Sequence, residues 1–476
     1  MRKETRQIAL LWLILAAVNF MLHFPILKGY FYYDDFQILG QLKEAPTWTS
    51  AVLNSFRQGY GLRFFEDLVL WLRVRQFGWQ PMPYFAISLL QNYLVALLVF
   101  MFAQQLFQRT KVSFIASLVF LIAFPPLQVV NWITGSVVSL LALFYLGALV
   151  LYVQALRTSK AGWYIAAWAS FILAMLTNEY SITLLPVLVL LTLALWKDFE
   201  IRPKQAALYL MPFLLVLVPY LAYQLHFLSQ GTSEGAELGG YRLGWHMLNN
   251  VTNLTHLVIP DLYFPRVTHF FQVYFPRGLR LLVMIDPLVR AAWFIIAAGV
   301  LWKGSSRTRF LVLFIFLTYA PFTLWIKGDM AHSPRYLYLP LVGFSILAAL
   351  FLAWISDWLA EKRLGNATIW LGIFLAIWTV YNAIPIYYFQ AIDVANGQVR
   401  QYLIGQVRAL HPQFPPGAVV YLGVPHQDFR DLGWGLPEFY ATPLQVKPSP
   451  PASLPGHPGS NEFIFQYKRG KLVEIK

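Results

Sequence analysis

About eleven long apolar runs dominate this chain, at positions 7–24, 84–107, 112–130, 135–156, 161–177, 181–196, 205–227, 288–302, 309–326, 336–355 and 367–386. A run of roughly 20 apolar residues is the length of a helix that crosses a bilayer. Only 12% of the residues are charged and mean hydropathy is +0.54, against about 25% charged in an ordinary soluble domain. The fold class expected is therefore an all-α polytopic membrane protein. Net charge is +14, but the basic residues sit in short connections between apolar runs, so nucleic acid is not the expected partner. There they orient a membrane protein and meet anionic lipid headgroups. There is no cysteine, which excludes disulfides and thiolate chemistry.

Placing the N-terminus in the cytoplasm puts Arg2/Lys3/Arg6, Arg109/Lys111, Arg157/Lys160, Lys197/Arg202/Lys204, Lys303/Arg307/Arg309 and Lys362/Arg363 on one side. The short turns at 125–134 and 177–181 carry no basic residue, so the positive-inside rule predicts N-in and C-out. No small-residue cleavage site follows the first run, which reads as an uncleaved span. Four segments then lie outside: 25–83, 228–287, 327–335 and 387–476. In the first, 48–58 and 61–76 mix aromatic residues with Arg57, Arg63, Arg73 and Arg75, as interfacial helices do. Stretch 241–257 is similar. The expected division is a transmembrane domain over 1–386, with large outer loops at 25–83 and 228–287, and a small extracytoplasmic α/β domain over 387–476. In that tail, 391–410 is helical, 418–423 a strand and 443–458 a proline-rich linker. Stretches 462–468 and 471–475 form a hairpin.

Acids are scarce, 22 among 476 residues, and two of them, Asp34 and Asp35, stand together in GYFYYDDFQIL just past the first span. Aromatic neighbours desolvate them, which raises a carboxyl pKa and suits a general base. Capping an interfacial helix, or pairing with an arginine, is the alternative reading. Glu179, in TNEYS at the outer edge of two spans, is costly there and points to function or to a helix cap beside Asn178. The stretch KGDMAHSPRYLY gathers Lys327, Asp329, His332, Arg335 and Tyr338. Its cations suit a lipid phosphate, unless Arg335 snorkels from the next span. Asp329 with His332 is too few ligands for a metal site. Asn131 with Trp132, and Gln91 with Asn92, read as interhelical hydrogen-bonding groups.

Three stretches carry a resemblance to the GT-C glycosyltransferases, in particular the O-mannosyltransferase and tetratricopeptide-linked mannosyltransferase branch: YYDDF at 32–36, NE at 178–179 and SPRYLYLPLVGF at 333–344. VNWITGSVVSLL at 130–141 is similar to a family stretch containing W-I-x-G-R. The chain departs from that pattern at Asn178 (usually Lys), Pro334 (Glu) and Ser136 (Arg), and it lacks the tetratricopeptide repeats.

The resemblance implies transfer of a hexosyl or pentosyl group from a polyprenyl-phosphate donor to a hydroxyl of a glycan, lipid or protein. The reaction inverts the anomeric centre on the extracytoplasmic face of a prokaryotic plasma membrane. Asp35 would be the base, with Asp34 as its alternate and a possible ligand of a divalent cation (Mg or Mn). Glu179, Arg335, Lys327, Arg63, His332 and Tyr338 would bind substrate. A polyprenyl-lipid-binding scaffold or a flippase of lipid-linked saccharide are the other readings, the flippase disfavoured by spans almost free of ionisable residues.

Overall fold

The computed structural model describes residues 2–54, 62–229, 243–258, 269, 272–325, 333–362, 366–424, 431–440, 443–450, 453–455, 457–459, 461–468 and 471–475. Every apolar run falls on a helix. Among the described residues, seven helical stretches are long and apolar enough to cross a membrane, including Arg6–Lys28, Pro81–Phe107, Thr134–Thr158 and Pro334–Glu361. Ala161–Thr177, Thr110–Ile122 and Glu179–Leu195 are shorter apolar helices, and Ser306–Thr323 takes the remaining run.

Eight helices matter below: α1 (Arg2–His23), α2 (Asp35–Glu44), α3 (Phe64–Phe77), α4 (Pro81–Phe107), α5 (Val137–Thr158), α6 (Tyr338–Glu361), α7 (Ala367–Leu410) and the short α8 (Leu432–Gly435). Pro81 opens α4 at a position where no backbone N–H is needed. In the bundle Asn92 accepts from Tyr338 Oη at 2.8 Å and donates to Asn19 at 2.7 Å, and Ser139 donates to Gln91 at 3.1 Å. These are the interhelical bonds read from the sequence. They leave Tyr338 fully buried in the core.

The C-terminal tail forms a four-stranded sheet, β1 (Ala418–Gly423), β2 (Leu444–Ser449), β3 (Glu462–Lys468) and β4 (Lys471–Ile475), in the order β2-β1-β3-β4. β3 and β4 pair antiparallel with Lys468 opposite Lys471, so the hairpin and the first strand stand as expected. The linker does not: Leu444–Ser449 pairs parallel with β1. An edge strand tolerates a proline such as Pro448, whose missing N–H costs no ladder bond if it faces outward.

The first outer loop and the tail share one core. Phe31, Phe36, Leu39 and Leu42 pack with Leu403, Leu432, Leu436 and Phe465 in a single buried cluster. α7 runs unbroken through position 386, so the backbone marks no boundary there. Glycines allow the close approach. A β-carbon at Gly435 would lie 2.9 Å from the Phe36 ring, one at Gly397 would lie 2.9 Å from Tyr30 N, and one at Gly40 would overlap the Glu438 carboxylate.

Replacing Gly435 by Val forces a methyl-bearing carbon into the Phe36 ring. We expect a loss of about 1–3 kcal/mol, read as a lower melting temperature of the detergent-solubilised protein. An unchanged value would show that the contact is slack.

Candidate active site

The chain leaves α1 through a 3₁₀ turn (Phe24–Lys28) and reaches Tyr33, which adopts φ +51°, a conformation uncommon for a residue with a β-carbon. Asp35 N donates to Tyr32 O at 3.2 Å, closing the turn, and α2 starts at Asp35 with Asp34 in the preceding cap position. The neighbouring acids face different surroundings. Asp35 is fully buried. Its Oδ1 accepts from Thr134 N at 2.9 Å and its Oδ2 from Tyr32 N at 3.2 Å. Asp34 is half-buried; its Oδ1 accepts from Trp132 Nε1 at 3.0 Å and Thr134 Oγ1 at 2.7 Å. Asp34 Oδ2 makes no hydrogen bond among the described residues.

Thr134 Oγ1 also lies 3.0 Å from Asp35 Oδ1, so one hydroxyl proton faces two acids. Burial, reinforced by the charge of Asp34, pushes the Asp35 carboxyl up to about 8 against the pull of the Thr134 and Tyr32 hydrogen bonds. Burial also raises Asp34, opposed by Thr134, the Arg335 guanidinium and Trp132. Two carboxylates this close do not both ionise easily. Thr134 Oγ1 has a single proton to give, so it can satisfy only one of the two carboxyls as a donor. The more open acid of the pair is Asp34. The resemblance puts Asp35 first as the base and Asp34 second; in the structure both oxygens of Asp35 accept backbone hydrogen bonds.

Arg335 enters from the opposite side, in the 3₁₀ turn Pro334–Leu337 that leads into α6. Gln128 holds this turn, accepting from Ser333 Oγ at 2.6 Å and Arg335 N at 3.1 Å. The guanidinium carbon lies 4.2 Å from the centre of the Trp132 ring and 5.1 Å from that of Tyr336. Its Nη2 donates to Tyr336 Oη at 3.2 Å, and its buried Nε has no partner among the described residues. Trp132 thus joins the two charges, its ring under Arg335 and its indole N–H on Asp34. Lys327, Asp329 and His332 lie outside the described residues.

Glu179 is neither cap nor free ligand. Arg63 grips it with two bonds, Nε to Oε2 at 3.0 Å and Nη2 to Oε1 at 2.7 Å. Asn178 does the capping, accepting from Tyr180 N at 3.2 Å. Arg63 is thereby drawn into a protein ion pair, and Arg73 also turns inward instead of facing headgroups. Arg73 is 6% exposed and reaches Ser136 Oγ at 3.4 Å.

Between them sits a residue that the sequence reading missed. Glu66, in the first turn of α3, is 5% exposed and its Oε2 has no hydrogen-bond partner among the described residues. Burial pushes its carboxyl up to about 8, with Arg63 opposing and Asp67, Glu179 and Asp34 reinforcing. It lines a cavity of about 10 Å³ with Arg73 and Ser136, the space of a single water. The scarcity of acids that singles out Asp34 and Asp35 applies equally to Glu66, inside the aromatic-rich FFED.

The donor set does not fit a bound cation. Trp132 and Thr134 aim protons at Asp34, Arg335 lies beside it, and among the described residues no three His, Asp or Glu side chains converge.

No family model matches the chain, and no curated protein matches it. Solved structures do. ArnT from Cupriavidus metallidurans in the apo state is similar over 93% of this chain and 86% of its own, at 16% identity and a TM-score of 0.48. The same protein bound to undecaprenyl phosphate gives 16% identity, the same coverage and a TM-score of 0.46. The Archaeoglobus fulgidus oligosaccharyltransferase, tethered to an acceptor peptide containing the NVT sequon, matches 93% of this chain and 64% of its own, at 14% identity and a TM-score of 0.49. At these scores the likeness is loose, and the functional reading rests on the residues of the site.

Burial lifts the Asp35 and Glu66 carboxyls to about 8 in the folded protein, above the ordinary carboxylate range of about 4 in the unfolded chain. Between those limits the folded protein binds more protons than the unfolded chain, so its stability falls as pH rises. Asp35→Asn removes one of these protons, and thermal unfolding from pH 5 to 9 should show a shallower decline than wild type. An equally steep decline would show that Asp35 is ionised throughout.

Proposed function

We propose that the chain is a membrane glycosyltransferase, moving a sugar from a polyprenyl-phosphate donor to a hydroxyl acceptor on the extracytoplasmic face, with inversion. The observation that carries this reading is the pairing of an open carboxylate with a guanidinium across one indole: Asp34 on the N–H of Trp132 and Arg335 on its face. A transferase of this kind needs a base for the incoming hydroxyl and a cation for the departing phosphate, set apart and held rigidly.

Asp34 Oδ2 takes the proton of the acceptor hydroxyl as that oxygen forms its bond to the anomeric carbon. The bond from that carbon to the phosphate oxygen breaks with its electron pair, and the polyprenyl phosphate leaves as the anion. Arg335 meets the developing charge; its unpartnered Nε and its planar fork suit a phosphate. Protonated Asp35 donates to Thr134 Oγ1, whose own hydroxyl proton stays on Asp34 Oδ1 and so leaves Oδ2 as the basic atom. Tyr336, stacked on Phe322 at 4.1 Å, with Tyr180 4.4 Å from Phe322, offers an aromatic wall beside Arg335. The N-in orientation given by the basic loops sets Asp34, Glu179 and Arg335 on the outer side, where a lipid-linked donor is needed because nucleotide sugars stay in the cytoplasm.

Transfer of radiolabelled sugar from a panel of extracted polyprenyl-phosphate donors to membrane acceptors tests the assignment. Asp34→Asn is expected to lower kcat by about 10² to 10⁴, and Arg335→Lys to lower it by about tenfold or more through loss of the fork. Full activity of Asp34→Asn in folded protein would remove the base. No transfer by wild type across the panel would favour a lipid-binding scaffold. The wild-type rate should climb with pH through a midpoint above the usual carboxylate range, because the base works only when ionised.

A further inference from the structure

The C-terminal tail reaches the turn before Asp34 through Asp431. Asp431, at the N-terminal end of α8, has a carboxylate whose Oδ2 accepts the backbone N–H of Tyr33 at 3.0 Å and lies 2.7 Å from Arg400 Nε. Arg400 and Asp431 are 4% and 3% exposed, a fully buried ion pair. The Arg400 guanidinium also lies 5.8 Å from the centre of the Tyr32 ring. The peptide it serves is the one whose residue holds a positive φ, immediately before Asp34. On three sides the tail presses on the same loop without side-chain padding, through Gly397 on Tyr30, Gly435 on Phe36 and Glu438 on Gly40.

A buried carboxylate and a buried guanidinium are costly to desolvate, and packing could be had more cheaply with apolar residues. What an apolar residue cannot do is accept the Tyr33 N–H. The Tyr33 turn in turn lets Tyr32 N reach Asp35 Oδ2 and sets the direction in which Asp34 leaves the backbone. We propose that Asp431 is a positioning residue of the active site: oriented by Arg400, it holds the Tyr33 peptide in its left-handed turn and thereby aims Asp34. The C-terminal tail then completes the site. This rests on the reading of Asp34 as the base. Burial pushes Asp431 up to about 6 against Arg400 and the Tyr33 N–H, so the accepting carboxylate is present at neutral pH.

A double-mutant cycle between Asp431→Ala and Tyr33→Gly tests the clamp, since glycine takes positive φ without the help of a partner. In the Tyr33 background Asp431→Ala should lower kcat by about tenfold or more, with the donor KM within about twofold, because a misaimed base slows chemistry and leaves binding intact. In the Tyr33→Gly background the same change should cost about twofold or less. Asp431→Asn, which keeps an accepting oxygen, should recover most of the rate. Equal losses in both backgrounds, or no loss in either, would overturn the proposal. If Asp431→Ala fails to fold, Asp431→Ala with Arg400→Leu removes the unpaired buried charge and takes its place in the cycle. Hydrogen exchange over residues 30–36 reads the clamp without activity. Faster exchange in Asp431→Ala, with no sugar transfer by wild type, would keep the clamp and refute the transferase, whereas unchanged exchange would refute the clamp itself.

Discussion

Thr134 is the residue on which the site depends. Its N–H and its hydroxyl are shared between two acids that adjacency and burial would otherwise set against each other. A threonine hydroxyl has one proton to give, so it satisfies one carboxylate as a donor and must receive from the other. That arithmetic favours one shared proton between the two acids, and burial raises both carboxyls. Asp35 lies in the core with both oxygens bonded, while Asp34 stays half-open with one oxygen uncommitted. Trp132, two residues before Thr134, then ties Asp34 to Arg335. A short stretch between two helices therefore organises both charges.

The arginines of the first outer loop obey the same economy. Arg63 and Arg73 turn inward, although the aromatic and basic pattern of their segment would suit headgroups. Inward they meet Glu179 and Ser136, and between them lies the buried Glu66, its Oε2 4.0 Å from Arg63 Nε. An exposed arginine gains little from a surface pair, whereas a partly buried fork on Glu179 gains two directed bonds. The segment is thus an inner wall of the site.

The tail contributes more than cover. Its core is continuous with that of the first outer loop, and three glycine contacts bring backbone against ring, backbone and carboxylate. A rigid seat of this kind lets a hydrogen bond from residue 431 govern a turn at residue 33. The proline-bearing edge strand fits this arrangement, since β2 closes the far side of the sheet without offering a full ladder to a further strand.

Apolar runs, basic short loops and scarce acids were legible in the chain because each is a composition effect read over a window. Helix after helix falls where hydrophobic length demanded one, and the acid pair stands out because burial makes acids rare. The hairpin was legible from its alternation. The strand at 444–449 was not, because proline masks a strand unless its place at the sheet edge is known. Glu66 was overlooked among aromatic neighbours, although its rarity marked it. What no local pattern could supply was which of Asp34 and Asp35 is open, that Tyr338 turns into the bundle, and that Arg63 is spent on Glu179. Those outcomes depend on partners about a hundred residues away or more, Thr134, Asn92 and Glu179. Side chains from distant segments meet only once the bundle packs, so the chain by itself determined a helical, many-span membrane protein with scarce acids near the ends of its apolar runs, and the tertiary contacts decided which acid keeps an uncommitted oxygen.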